Sequence, residues 1–470
     1  MEFQPVIMAA GRGSRMYPLT EATPKALLSV GNHPMIYYPV KMLEKAGFEE
    51  VIVVVLKSAL SQIRYVLQEV YRTPISVDFV SIPDDQDTGT ADALRYVAPK
   101  LRGADVLVVS CDTITDVALH RLADVHRLRD ATLTMLLGSN DSSQAEKDAV
   151  GTKTKKRLAI ETGERDFVGL DNDRVLFFSA QADLDEEVVI RKSMLERFPS
   201  FTIYTRLVDA HLYLMKKWVV DFLGENKSLS SIKGELLPYL VRKQFVRTQK
   251  GMVNLDVSGM SNSLEKRPEN GKGIKLFFAA FPRFSVIALD VFNFANSSHN
   301  SILQLAEQMS TSGIGQDIAG GRNNVKCYAA VVKDGFCIRA NTVPFYMEAN
   351  RQIAKQTSVH STATIKPKSQ VGSDSLVGEG TSIGEKCSVK WSIIGKHCVL
   401  SDKVKVSNCV IMDYVTIKEG CNLQQCIVCE NAHVDEGCSL KDCQVAKGFT
   451  VKGKTDAKGE VLIAGGEMQF

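Results

Sequence analysis

The residues best arranged for chemistry stand close to the N-terminus, in the run Gly11-Arg12-Gly13-Ser14-Arg15-Met16-Tyr17-Pro18-Leu19-Thr20 followed by Pro24-Lys25. Two glycines at the end of an apolar strand let backbone N–H groups approach phosphate oxygens with no Cβ in the way. Arg15 and Lys25 bring the cationic charge that neutralises a triphosphate as pyrophosphate leaves. A bare Gly-x-Gly is often only a turn; the full string, with its Arg, Pro and Lys, is much more specific. A second pattern, Cys426-x-x-Cys429, has the spacing of zinc or redox cysteines. No second such pair and no fitting His accompanies it, so packing is its expected role.

Regular elements must hold that loop, and the first part of the chain alternates strand and helix patterns. Pro5 to Ala10, Val51 to Leu56, Ile75 to Ile82 and Asp105 to Ser110 are apolar strand runs, with helical patterns at Pro34 to Ala46, Ser61 to Tyr71 and Ala91 to Ala98. Strands this apolar, separated by helices, imply a parallel sheet covered on both faces, a doubly wound α/β domain. Asn254 to Lys272 loses apolar periodicity and reads as a flexible insertion. A shorter weak stretch, Ala354 to Ser361, precedes a change of pattern.

From there the sequence repeats. Val377, Ile394, Ile411, Val428 and Val445 are each 17 residues apart, as are Ile383, Leu400, Ile417, Val434 and Val451, and likewise Val389, Val406, Leu423 and Leu440. One aliphatic per step of six, six and five residues describes a triangular β-solenoid with an aliphatic at each interior corner. Gly372, Gly378, Gly384 and Gly395, each following such an aliphatic, match the hexapeptide pattern of left-handed β-helices. The same register accounts for Cys409, Cys426 and Cys443, and for Cys421 and Cys438, as residues stacked roughly 4.8 Å apart from coil to coil.

Composition narrows the setting. A net charge of +3 does not suggest a broad nucleic-acid surface, and the short basic run Lys153 to Arg157 reads as a solvated loop. The N-terminus lacks a secretory pattern, and the most hydrophobic stretch, Ile274 to Ala295, is broken by Lys275, Arg283 and Asp290. Eleven cysteines with no signal favour free thiols in the cytosol.

The loop from Gly11 to Lys25 resembles the N-terminal fingerprint of sugar-phosphate nucleotidyltransferases, especially the GDP-mannose pyrophosphorylases, which also carry a left-handed β-helix after the catalytic domain. Thr88-Gly89-Thr90-Ala91-Asp92-Ala93-Leu94 resembles the family segment that sits against the nucleotide base and sugar. Ser110-Cys111-Asp112 resembles the strand end whose Asp holds Mg²⁺ against the phosphates, with Cys111 in place of glycine. A polar cap on the strand is an equal reading of Asp112. The resemblance then thins. The region of Arg197-Phe198-Pro199-Ser200 lacks the family's Glu-Lys-Pro, and Gly335-Phe336-Cys337-Ile338-Arg339 puts Arg339 where a second metal carboxylate is expected. A guanidinium there opposes a divalent cation.

The departures resemble another family, the gamma subunits of translation initiation factor 2B. The matching stretches are Cys111-Asp112 with Thr115 to His120, Ala182 to Glu187, Asp209 to Tyr213, Ser231 to Phe245 and Tyr346 to Gln352. That resemblance implies a non-catalytic subunit of the factor that reloads initiation factor 2 with GTP. Its partners would be the epsilon and other subunits and initiation factor 2 itself, with no nucleic acid and no membrane. The sister epsilon subunit continues into a helical exchange domain, for which the residues between Val451 and Phe470 leave no room.

The expected architecture is therefore a doubly wound nucleotidyltransferase-like α/β domain over 1–353 and a left-handed parallel β-helix of hexapeptide repeats over 354–470. The residues expected to form a vestigial nucleotide site are Gly11, Gly13, Arg15, Lys25, Gly89 and Asp112, with no metal and no resident cofactor beyond weak GTP or ATP binding. An active sugar-phosphate nucleotidyltransferase such as GDP-mannose pyrophosphorylase is the alternative, and a free-standing nucleotide sensor a third reading.

Overall fold

The structure, a computed structural model of the chain, describes residues 2–85, 88–102, 105–139, 166–180, 188–190, 192–245, 274–276, 283–287, 325–332, 335–355, 358–372, 374–463 and 466–469. The insertion read at 254–272, the basic run 153–157 and the stretch 182–187 lie outside the described residues.

Strands Phe3–Met8, Glu50–Leu56, Ser76–Ile82 and Asp105–Ser110 pair in parallel around Phe3–Met8 and Glu50–Leu56. Their unbroken apolar character follows from burial on both faces. Val51, Val53 and Val55 pack in one layer with Val40, Met42 and Leu43 of helix Tyr37–Lys45. Ile52 and Val54 face the other layer, with Ala93, Leu94 and Val97 of helix Thr90–Val97. Beyond Asp105–Ser110 the eleven-stranded sheet becomes mixed, because Leu207–Met215 joins it antiparallel. Leu133–Ser139 pairs antiparallel with that strand, and Cys327–Val331 runs parallel to Leu133–Ser139. The parallel arrangement read from the first strands thus holds for that side of the sheet. Leu207–Met215 is largely buried as well, and nothing in its composition records its direction.

The solenoid runs from Ser358–Val359 onward as three sheets of eight, six and six strands, all parallel except its last hairpin. From Leu376 the register advances 17 residues per coil, as in Val377↔Ile394 and Ile383↔Leu400; the first coil holds 18, pairing Val359 with Val377. Every aliphatic of the three series is buried. Such a side chain contributes roughly 1.5–3 kcal/mol on leaving water. The repeat glycines sit where coil crosses coil: a Cβ on Gly378 would lie 2.5 Å from the Gly395 carbonyl oxygen, and one on Gly395 would lie 2.6 Å from the Met412 carbonyl carbon.

The solenoid extends past Val451. Asp456–Lys458 adds a strand with Ala457 at the interior corner, and Glu460–Ile463 brings in Leu462. An alanine fills this corner, which hides the step from an aliphatic series. Glu460–Ile463 pairs with Gln444–Val445 and folds back antiparallel on Gly466–Gln469. The apolar strand read at 461–464 begins one residue earlier, and residue 464 lies outside the described residues.

All eleven cysteines are free. Ser375, Ser392, Cys409, Cys426 and Cys443 form one column: the Cys409 N–H donates to Ser392 Oγ at 3.1 Å and the Cys426 N–H to Cys409 Sγ at 3.4 Å. The Cys-x-x-Cys thiols belong to different cores. Cys426 is inside the solenoid, whereas Cys429 lies on its outer face among residues of the α/β domain. Among the described residues no group of three or more His, Cys, Asp or Glu is placed to hold a metal ion.

That outer face fixes the two units together. Val410, Met412, Ile427 and Cys429 share a core with Met16, Leu19, Leu28 and Met35, and with Tyr346 and Ala349 of helix Val343–Ala354. A polar contact crosses the same junction: Asn32 Nδ2 donates to the Ile394 carbonyl at 3.2 Å, while the neighbouring Gly31 N–H donates to Asn350 Oδ1 at 3.0 Å and ties its loop to helix Val343–Ala354. The glycine loop therefore rests, through Met16 and Leu19, on the β-helix.

Candidate functional site

The glycine loop leaves the sheet after Phe3–Met8 and closes in a short 3₁₀ turn, Ser14–Met16. Gly13 has φ +73°, and its carbonyl accepts the Met16 N–H at 2.8 Å and the Thr20 hydroxyl at 2.9 Å. A Cβ there would meet Thr20 Cγ2 at 2.8 Å and Lys25 Cβ at 3.2 Å, so this glycine is required by the turn. Gly11 differs. It is exposed, and a Cβ on it would meet nothing within 4 Å. Arg12 reaches across to donate to the Asp84 carbonyl at 2.6 Å, and Arg15 is exposed at the turn.

Asp112 lies beside the loop because the Cys111 N–H donates to the Met8 carbonyl at 3.0 Å, extending the pairing of the two parallel strands. Cys111 packs into the core, and burial pushes its thiol up to about 12. Asp112 is fully buried with two cations. Lys25 Nζ lies 2.5 Å from Oδ2, while Arg339 places Nε 3.3 Å from Oδ1 and Nη2 3.2 Å from Oδ2. Strand Cys337–Arg339, antiparallel to Thr113–Thr115, delivers that guanidinium. Burial alone would raise the Asp112 pKa, but Arg339 and Lys25 outweigh it and hold the carboxyl well below its ordinary value. Both oxygens are thus bound to cations. A divalent ion at Asp112 would have to displace them, and a phosphate approaching Lys25 would compete with Asp112.

Beneath this clamp lies a polar network that the spacing of the sequence does not reveal. The pairing of Leu207–Met215 with Leu133–Ser139 is interrupted between Asp209 and Tyr213, where His211 adopts φ +51°. The interruption turns Asp209 and His211 into the core. Asp209 accepts the Tyr213 hydroxyl and, at 3.0 Å, the His211 N–H, while its own N–H donates to Asp166 Oδ2 at 2.9 Å. Lys233 Nζ lies 2.9 Å from Asp166 Oδ1. Burial, with the Asp166 charge and against Lys233, raises the Asp209 pKa to about 6. Burial, followed by Arg339 and Lys233, holds His211 well below its ordinary pKa, so its ring is neutral. Asp209 to Tyr213 and Lys233 fall in stretches that carry the family resemblance, whereas Asp166 does not, and the three segments lie far apart in sequence.

Gly89 answers to a different contact. It precedes helix Thr90–Val97, and a Cβ on it would lie 2.1 Å from the Ser230 carbonyl oxygen. That carbonyl accepts the Ala91 N–H at 2.8 Å, and the Ile232 N–H donates to Thr90 Oγ1 at 2.9 Å. The first N–H groups of the helix are directed at this crossing segment.

The chain is 31% identical over 400 residues to the translation initiation factor eIF2B subunit gamma of Schizosaccharomyces pombe, an alignment covering 83% of this chain and 74% of the relative. This chain belongs to the eIF2B gamma-subunit family. The Dictyostelium discoideum eIF2B gamma subunit is 29% identical over 428 residues, covering 84% of this chain and 87% of the relative. A nucleotidyl transferase family model matches residues 4–147, and a model of the EIF2B subunit epsilon left-handed β-helix domain matches 345–456. Similarity to a mannose-1-phosphate guanyltransferase of Debaryomyces hansenii, 28% identical over 133 residues, covers 28% of this chain and 36% of the enzyme. The enzyme-like part of this gamma-family chain is thus the portion carrying the glycine loop, while the gamma likeness spans both units.

Proposed function

We propose that the chain is a non-catalytic, regulatory subunit of the guanine-nucleotide exchange factor that returns GDP-bound initiation factor 2 to its GTP-bound form. It acts in the cytosol within a hetero-oligomer, supporting the catalytic epsilon subunit and helping to engage initiation factor 2. The observation carrying the non-catalytic reading is the clamp of Arg339 and Lys25 on Asp112, which puts guanidinium and ammonium where nucleotidyl transfer needs a metal ion. Gly11, Gly13, Arg15, Lys25, Gly89 and Asp112 are then the remains of a nucleotide site, and GTP or ATP binds there weakly. The test is to incubate the purified protein with nucleoside triphosphate, sugar 1-phosphate and Mg²⁺. No nucleotide sugar is expected; turnover above about one per second, ordinary for enzymes, would establish the pyrophosphorylase reading instead.

The units 1–353 and 354–470 work in this role as one body. The match of the β-helix to an epsilon-subunit domain supports a partner of similar shape, with several coils of each solenoid held in fixed register. Affinity purification from cytosolic extract is expected to recover epsilon, the other subunits and initiation factor 2. Recovery of a homo-oligomer alone would contradict it. Deleting the solenoid is a poor test, because it would strip Met16 and Leu19 of their cover.

A further inference from the structure

The two ends of the solenoid are finished differently. At the C-terminal end Glu460–Ile463 folds back on Gly466–Gln469, so the first sheet closes on its own chain. The first coil has no such cover among the described residues. Residues 364 to 368 are all exposed, and Ile365 is 38% exposed although its counterpart one coil on, Ile383, is fully buried.

The backbone there faces outward in a defined way. The Thr364 N–H donates to the Thr381 carbonyl and the Lys366 N–H to the Ile383 carbonyl, both at 2.9 Å. Strand alternation then turns the N–H and C=O of Ile365 to the open edge. The six-residue step repeats this at Val371, since the Gln370 and Gly372 N–H groups donate to Cys387 and Val389. Charge is one-sided: Lys366 and Lys368 flank the edge, and no Asp or Glu occurs from 358 to 372. A second copy would bring lysines against lysines.

We propose that the Thr364–Ile365 edge is a strand-addition site for an extended acidic segment of another polypeptide. Backbone pairing at Ile365 supplies the register, the exposed aliphatic supplies apolar contact, and Lys366 and Lys368 select carboxylates. The inference does not depend on which chain supplies the segment. Lysine and proline on an edge also serve simply to repel unwanted strands, and that role gives the opposite outcome in the test.

The test uses the full chain and an acetylated, amidated peptide of alternating Glu and Val. Hydrogen exchange of the Ile365 amide is expected to slow about tenfold at saturating peptide, with little change at the already paired Lys366 amide. High salt should weaken the effect, and an alternating Lys and Val peptide should not produce it. Ile365→Pro removes the outward N–H together with the exposed aliphatic, in a position where edge strands tolerate proline, and should abolish the calorimetric heat of the Glu peptide. Should that variant melt early, the double substitution Lys366→Glu and Lys368→Glu serves instead and should lose the Glu peptide while leaving the fold intact. An Ile365 amide unaffected by the Glu peptide, or protected equally by the Lys peptide, would overturn the proposal and leave the lysines as edge protection.

Discussion

Arg339 engages Asp112 through both carboxylate oxygens, Nε to Oδ1 and Nη2 to Oδ2, joining strand Cys337–Arg339 to the end of a central strand of the sheet. Replacing it with methionine leaves Asp112 facing Lys25 alone. The expected loss is about 2 kcal/mol, less than the ~3–5 kcal/mol for a buried charge stripped of its sole partner. Urea denaturation of Arg339→Met measures it; an unchanged midpoint would show that the clamp contributes no stability.

Acid sensitivity should move with the same substitution. Because the Asp112 pKa is depressed in the folded protein, its contribution is complete above the unfolded carboxyl value of ~3.9 and is lost as pH falls through the lower folded value. Removing Arg339 raises the folded value, so Arg339→Met should lose stability at a higher pH than the parent. Acid titrations of both proteins, followed by fluorescence, compare the midpoints.

Asp209 has the opposite sign. Its folded pKa of about 6 exceeds the unfolded one, so the native state holds the proton more tightly and stability from this group falls as pH rises from about 4 to about 6. Asp209→Asn cannot ionise, and its denaturation midpoint should change less across that interval. Parallel profiles for the two proteins would place the titration elsewhere.

The two loop glycines should separate. Gly13→Ala forces a Cβ into a left-handed turn against Thr20 and costs about 1–2 kcal/mol. Gly11→Ala meets nothing and should stay within about 0.5 kcal/mol of the parent in thermal melts. If phosphate approaches the loop, Gly11→Ala should reduce the calorimetric heat of millimolar GTP or ATP without altering the melt, and Lys25→Ala should abolish that heat.

Ile417→Asp buries an unpaired carboxylate at an interior corner that is fully shielded from water. The loss should exceed about 4 kcal/mol and remove the solenoid's β-sheet signal in circular dichroism. Tyr414→Ala, at a 55% exposed turn position, should melt like the parent.

What could be read beforehand follows from the range of the interactions. The solenoid is legible because each corner is buried by the residue 17 positions away, so local spacing encodes the packing; the 17-residue series misses the first coil, which holds 18 residues, and the last, where Ala457 is too small to stand out as an aliphatic. The parallel strands were legible for a similar reason, burial on both faces leaving an apolar run. Gly89 belongs to a stretch that resembles a nucleotide-binding segment, and its lack of a side chain is enforced by the carbonyl of Ser230, supplied by a distant segment whose approach no local pattern records. The Asp166, Asp209, Tyr213 and Lys233 network depends on a strand irregularity at His211 that no periodic pattern records.

Packing of the glycine loop on the solenoid also sets a timetable. Met16 and Leu19 emerge from the ribosome early, but Val410, Met412, Ile427 and Cys429, which cover them, are made about four hundred residues later. At roughly 5–20 residues per second, the apolar underside of the loop waits about 20–80 s for its cover. During synthesis this face is a target for chaperones, and a chain cut short by premature termination within the coils would present it permanently to quality control.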